Sequence, residues 1–214
     1  MNKLKIIAGI ILFGSLWGFS EVIIGSAINE AGLPSGAIMT GLFAMIFLVM
    51  SRMFYRQTGI QFGMGLVAGT LRMFNPFIGC HLCSAIAIMA EAAIFEILWY
   101  KISSNFKELK DLIIQGGMGI ITAYTIFISG YIITQILTPI VAGATFYIEN
   151  LIVFMPRILA TGLLPAVLGG IVLPMILVVK EVNFTVKDRL YYPITIVITI
   201  LCWFVVAGNW IIFS

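Results

Sequence analysis

Ten of the twelve Lys and Arg residues gather in four short clusters that alternate with long apolar runs: Lys3 and Lys5; Arg52 and Arg56; Lys101, Lys107 and Lys110; Lys180, Lys187 and Arg189. Basic side chains resist translocation and collect in cytoplasmic loops beside helix ends. The clusters therefore mark an inner face, and only Arg72 and Arg157 are left for the outer one. A chain with this alternation is expected to cross a bilayer repeatedly. Its 61% hydrophobic and 10% charged residues and mean hydropathy of +1.13 agree. The net charge of +3 reflects the loop asymmetry. No basic stripe with interleaved aromatics exists, so nucleic acid is excluded as a partner.

A helix needs about 20 apolar residues to cross a hydrocarbon core of roughly 30 Å. Such runs lie at residues 6–28, 37–54, 60–74, 77–99, 113–137, 158–179 and 191–213. They predict an all-α polytopic membrane protein with about seven transmembrane helices, the N-terminus cytoplasmic and the C-terminus outside. The third run is short, carries Gly63, Gly65 and Gly69, and breaks at Asn75-Pro76, where proline lacks an N–H and restricts the residue before it. If it did not cross, Lys101, Lys107 and Lys110 would fall outside, so the charge bias argues that it spans. The first run exceeds the apolar core of a signal peptide and contains Glu21, so it is expected to remain as a helix. The longest polar segments, 101–111 and 180–189, are too short to fold alone. The whole chain, 1–214, reads as a single transmembrane domain.

Four features carry possible chemistry. In the first helix Gly14, Gly18, Glu21 and Gly25 fall on one stripe. Small residues there let another helix approach closely, and plain packing accounts for the glycines. Glu21 is different: an acid inside a spanning helix costs roughly 2.5 to 3.5 kcal/mol and normally faces a polar cavity or partner. The second feature is the segment from Gly63 to Glu91, with Arg72, the break at Asn75-Pro76, His81, Ser84 and Glu91. Broken helices at membrane depth are tolerated where the backbone lines a cavity. Arg72 is expected to pair Glu21 or Glu91, to hold an anionic group, or to snorkel to headgroups. Ser84 and Glu91 are two turns apart on one face, whereas Glu96, beside Trp99 and Tyr100, is expected at the inner interface.

Third, Cys80-His81-Leu82-Cys83 reads as C-x-x-C at a helix N-terminus, where a thiolate could exchange disulfides or bind a soft metal. Cys80, His81 and Cys83 are too few for a closed zinc site, and cysteines in apolar chains also serve as small hydrophobes. Fourth, the outer connection 138–157 reads as a long loop with Pro139, Phe146, Tyr147, Phe154, Pro156 and Arg157, either a lid or an interfacial aromatic belt. There is no Walker loop, H-E-x-x-H or G-x-S-x-G, which excludes ATP hydrolysis by this chain alone.

The N-terminal basic pair, the small-residue stripe of the first helix, the short Gly-rich third helix before a Pro break, and the long outer connection together resemble the S components of energy-coupling-factor transporters. The likeness covers residues 1–180, a six-helix core, with 191–213 as an additional helix that such subunits usually lack. The segments Gly14-Ser15-Leu16-Trp17-Gly18-Phe19-Ser20-Glu21 and Asn75-Pro76-Phe77 through Ala90-Glu91-Ala92 also resemble poorly characterised bacterial membrane proteins of that plan. The resemblance implies a subunit of the cytoplasmic membrane that captures a small solute in an outward cavity without any cofactor. A transmembrane coupling subunit and separate ATPases would supply energy. Gly14 and Gly18 would belong to the docking face, and Glu21, Arg72, His81 and Glu91 would line the cavity, with Asn75 and Ser84 beside them. Two alternatives stay open: a membrane thiol oxidoreductase or metal binder using Cys80 and Cys83, and a structural subunit with no ligand.

Overall fold

The computed structural model describes residues 3–76, 80–102, 109, 111–141, 143, 148–179 and 188–213, and among these every regular element is helical. Seven rods follow in chain order: α1 (Lys3–Glu30), α2 (Ser35–Phe54), α3 (Ile60–Arg72), α4 (His81–Tyr100), α5 (Leu112–Val141), α6 (Leu151–Val178) and α7 (Leu190–Phe213). All except α3 are long and apolar enough to cross a membrane. The third run, expected to be short, is α3: it has 13 residues, about 20 Å at 1.5 Å per residue, against a core of roughly 30 Å.

Short as it is, α3 connects opposite ends of the bundle. Ile10 meets Gly63, Gly14 meets Met64 and Val67, and Gly18 meets Ala68 and Leu71, a register that makes α3 parallel to α1. Against α4 the order reverses, with Gly65 on Ala92 and Gly69 on Ala85 and Met89. Glycines supply the clearance, since a Cβ on Gly14 or Gly18 would stand 2.7 Å from Val67 or Leu71. Gly14 and Gly18 are therefore buried within the chain and present no face to a docking partner. The structure spends on α3 the stripe that the resemblance assigned to a coupling subunit.

Each end of α3 is secured by polar groups. At the first, Gly59 takes a left-handed backbone with φ of +90°, and Glu96 accepts from the backbone N–H groups of Gly59 and Phe62. A carboxylate at a helix N-terminus meets its unsatisfied donors and positive dipole end. Beside it Arg52 is buried, donating to the Trp99 carbonyl at 2.6 Å with its guanidinium 3.5 Å from the Tyr100 ring centroid. Tyr191 of α7 approaches the Lys5 carbonyl and the Tyr55 hydroxyl at this same end. The far end of α7 carries Trp210 to Phe74 and His81. Lys5, Arg52 and Arg56 thus share one end of the bundle, and α1 and α7 run parallel, placing the two chain termini at opposite ends.

The core is a continuous apolar cluster that includes Trp17, Met45, Leu48, Met64, Phe95, Trp99, Ile126 and Leu173. α5 and α6 cross through small residues, with the position of a Gly119 Cβ only 2.2 Å from the Gly169 carbonyl oxygen. α7 packs along α1, where Trp203 Nε1 donates to Ser15 Oγ at 3.0 Å, and its outer face bears Ile200, Phe204 and Ile211. The expected long loop at 138–157 is corrected as well. α5 continues through Pro139 to Val141, and a helix restarting at Ile148 runs through Pro156 and Arg157 to Thr161. Apolar continuity on both sides overrides the prolines as breakers. Lys107, Lys110, Lys180, Lys187, Gly79, Phe146 and Tyr147 lie outside the described residues.

Candidate functional site

Two helices widen at the level where the bundle turns polar. In α1 the turn Ser20–Ile24 is π-helical, closed by the Gly25 N–H on the Ser20 carbonyl. In α2 the turn Met39–Ala44 is likewise π-helical, with the Met45 N–H on the Thr40 carbonyl. Such bulges free carbonyls and re-aim side chains, often at functional sites. Hydroxyls occupy part of what is freed: Ser20 Oγ donates to the Trp17 carbonyl at 2.7 Å and Ser26 Oγ to the Val22 carbonyl at 2.6 Å. Glu21 and Thr40 sit inside the two widened turns.

Around them a cavity of about 140 Å³ is lined by Glu21, Thr40, Arg72, Ser84, Glu91 and Tyr131, among others. Arg72, the last residue of α3, reaches three groups. Its Nη1 donates to the Glu21 backbone carbonyl and lies 3.8 Å from Glu21 Oε2, while Nε donates to Ser84 Oγ at 3.0 Å. Glu21 Oε1 also accepts from Trp17 Nε1 at 3.3 Å. Glu91, one face up from Ser84 on α4, accepts from Thr40 Oγ1 at 2.9 Å. Gly130 of α5 completes the seat, because any Cβ there would stand 2.9 Å from Glu91 Oε1. Five helices therefore contribute to one polar void in an apolar bundle. Buried charges persist only when paired or hydrogen-bonded, and this network supplies both.

Of the residues singled out from sequence, Glu21, Arg72, Ser84 and Glu91 meet at this cavity, and Asn75 and His81 do not line it. Asn75 is buried in the turn after α3, where its Nδ2 donates to Ser26 Oγ at 3.2 Å and ties that turn to α1. The His81 ring turns edge-on to Trp210 of α7, with centroids 5.8 Å apart, away from the cavity wall. Thr40, Phe127, Gly130, Tyr131 and Thr134 also line the void. They escaped the sequence reading because a lone Thr in an apolar run, or a Gly-Tyr pair in a spanning helix, carries no signal until the facing helix is known.

Cys80 and Cys83 form a disulfide across the start of α4, with Cys80 as its N-cap residue. Cys83 is fully buried, so this bridge staples the first turn, directly before Ser84. Among the described residues no three His, Cys, Asp or Glu side chains gather in a metal-binding group. No family model, curated protein or solved structure matches the chain.

Proposed function

We propose that this chain is a multi-pass subunit of the bacterial cytoplasmic membrane that captures a small solute in the Glu21–Arg72–Glu91 cavity and takes part in its uptake. One observation carries the reading: two acids, an arginine and the hydroxyls of Thr40 and Ser84, drawn from four helices, converge on a void inside an otherwise apolar bundle. Intramembrane ionisable groups are expensive and mark solute or ion paths. The charge bias places the Lys5 and Arg56 end in the cytoplasm, so the cavity, at the other end, opens outward and the C-terminus lies outside. Energy would come from partners, a membrane coupling subunit and ATPases, as the likeness to S components implies. With Gly14 and Gly18 buried on α3, the docking face must be another surface, and the proposal does not depend on that stripe.

Native mass spectrometry of the full chain purified from its membranes tests this. A low-mass adduct is expected on the wild type and absent from the charge-neutral double variant Glu21→Gln/Arg72→Gln. A wild type that releases nothing, or a variant that keeps the same adduct, contradicts it. The thiol-redox alternative has the Cys80–Cys83 bond in its favour. It requires that changing both cysteines to Ser abolish thiol turnover; the solute reading requires that the adduct persist.

A further inference from the structure

If the cavity holds a solute, its wall also specifies the solute's charge, and this step rests on that reading. Among the described lining residues Glu21 and Glu91 are the acids and Arg72 the single base, so with both acids ionised the wall carries one negative charge in excess. Arg72 is already committed, to the Glu21 carboxylate, the Glu21 carbonyl and the Ser84 hydroxyl. Glu91 is only 7% exposed, and among the described residues its carboxylate receives one hydrogen bond, from Thr40, and no ion pair. A buried carboxyl with so little compensation either holds a proton or keeps its charge beside a cation, and a cationic ligand is what would hold Glu91 ionised.

The remaining lining groups agree in kind. Thr134 has given its hydroxyl hydrogen to the Gly130 carbonyl at 2.9 Å, so its oxygen is left to act as an acceptor. Phe127 and Tyr131, one turn apart on α5 with ring centroids at 5.7 Å, bring aromatic rings to the wall, and ring faces attract cations. Ala87 and Ile88 supply an apolar strip on α4. The geometry points to a small monoamine as the ligand, its ammonium on the Glu91 carboxylate and its apolar remainder along Ile88 and Phe127. A void of about 140 Å³ holds on the order of ten non-hydrogen atoms, taking 10 to 15 Å³ for each water-sized occupant.

Butylamine, butanol and butyrate are nearly isosteric and differ in charge near neutral pH. Equilibrium binding of each to the full chain in lipid nanodiscs decides the matter. Butylamine should saturate and bind at least tenfold more tightly than the other two. Glu91→Gln should weaken the amine at least tenfold and Glu91→Asp should retain most of the affinity. If Glu91→Gln does not fold, Thr40→Val, which removes the one donor to that carboxylate among the described residues, serves instead and should weaken amine binding more than butanol binding. Equal binding of amine and alcohol means a neutral Glu91 and overturns the inference. Tightest binding by butyrate overturns it too, moving the anchor to Arg72 while the solute site itself stands. Binding by none of the three overturns the inference; the solute site falls with it only if the native mass spectrum also shows no adduct.

Discussion

Arg72 sits where α1, α3 and α4 meet, and its guanidinium holds each to the others: the Glu21 carboxylate and carbonyl on α1, and Ser84 on α4. A lysine could supply the charge but not the forked geometry that serves both partners at once. Removing one member of a buried pair strands the other charge, at roughly 3 to 5 kcal/mol. Arg72→Ala should therefore destabilise the chain by about 3 kcal/mol, read as a fall in melting temperature in nanodiscs. Arg72→Ala/Glu21→Ala should recover at least half of that loss, because no orphan charge remains. A double variant no more stable than the single would mean that Arg72 acts through packing alone. Glu21, Arg72 and Glu91 were legible in the sequence because charged groups inside apolar runs are costly and must meet something, and Ser84 through its two-turn spacing from Glu91. Asn75 and His81 looked equivalent, being polar and close to the chain break. Their side chains were free to turn to Ser26 and Trp210, and spacing along a broken segment does not fix which way a side chain turns.

At the scale of elements, the site depends on irregular helices. An uninterrupted α1 would rotate each residue beyond Ser20 by a constant 100°, and the widened turn breaks that regularity where Glu21 must face Arg72. No residue pattern announced it, since π turns have no strong local signature and are stabilised by what they reach. The length of α3, by contrast, was readable from its glycines and from Asn75-Pro76. Its enclosure between α1 and α4 was not, because close approach needs both partners known. The connection at 138–157 failed as a loop for a related reason: Pro139 falls in the last turn of one helix and Pro156 inside the next, and the apolar packing that holds both helices is not visible along the chain. The Cys80–Cys83 staple closes a very short loop, and chain entropy then limits its contribution to about 2 kcal/mol. Cys80→Ser/Cys83→Ser should lower thermal stability by no more than that, because serine is itself a good N-cap, and amine affinity should change less than threefold. Loss of folding would show that the bridge holds more than the first turn of α4.

For the whole molecule, the alternation of basic clusters and apolar runs was enough to predict a helical membrane bundle, because the bilayer allows few other solutions. Lys5, Arg52 and Arg56 at one end, and Arg72 near the other, keep that asymmetry in three dimensions. Arg52 has in addition become part of the structure, clamped between Trp99 and Tyr100. Seven helices are present among the described residues, six of them long and apolar enough to span, and the short one is the third run that carries Gly63, Gly65 and Gly69. The account stands or falls on the void between Glu21, Arg72 and Glu91 being wet and reachable from the outer side. Thr40→Cys in right-side-out vesicles, treated with a small membrane-impermeant thiosulfonate, measures that directly against an outward-facing Phe204→Cys control and the unsubstituted chain. The account predicts modification of Cys at position 40 from the outside, slowed by butylamine, with the control and the unsubstituted chain unreactive. No modification from that side, or a rate no greater than the control's, would contradict it.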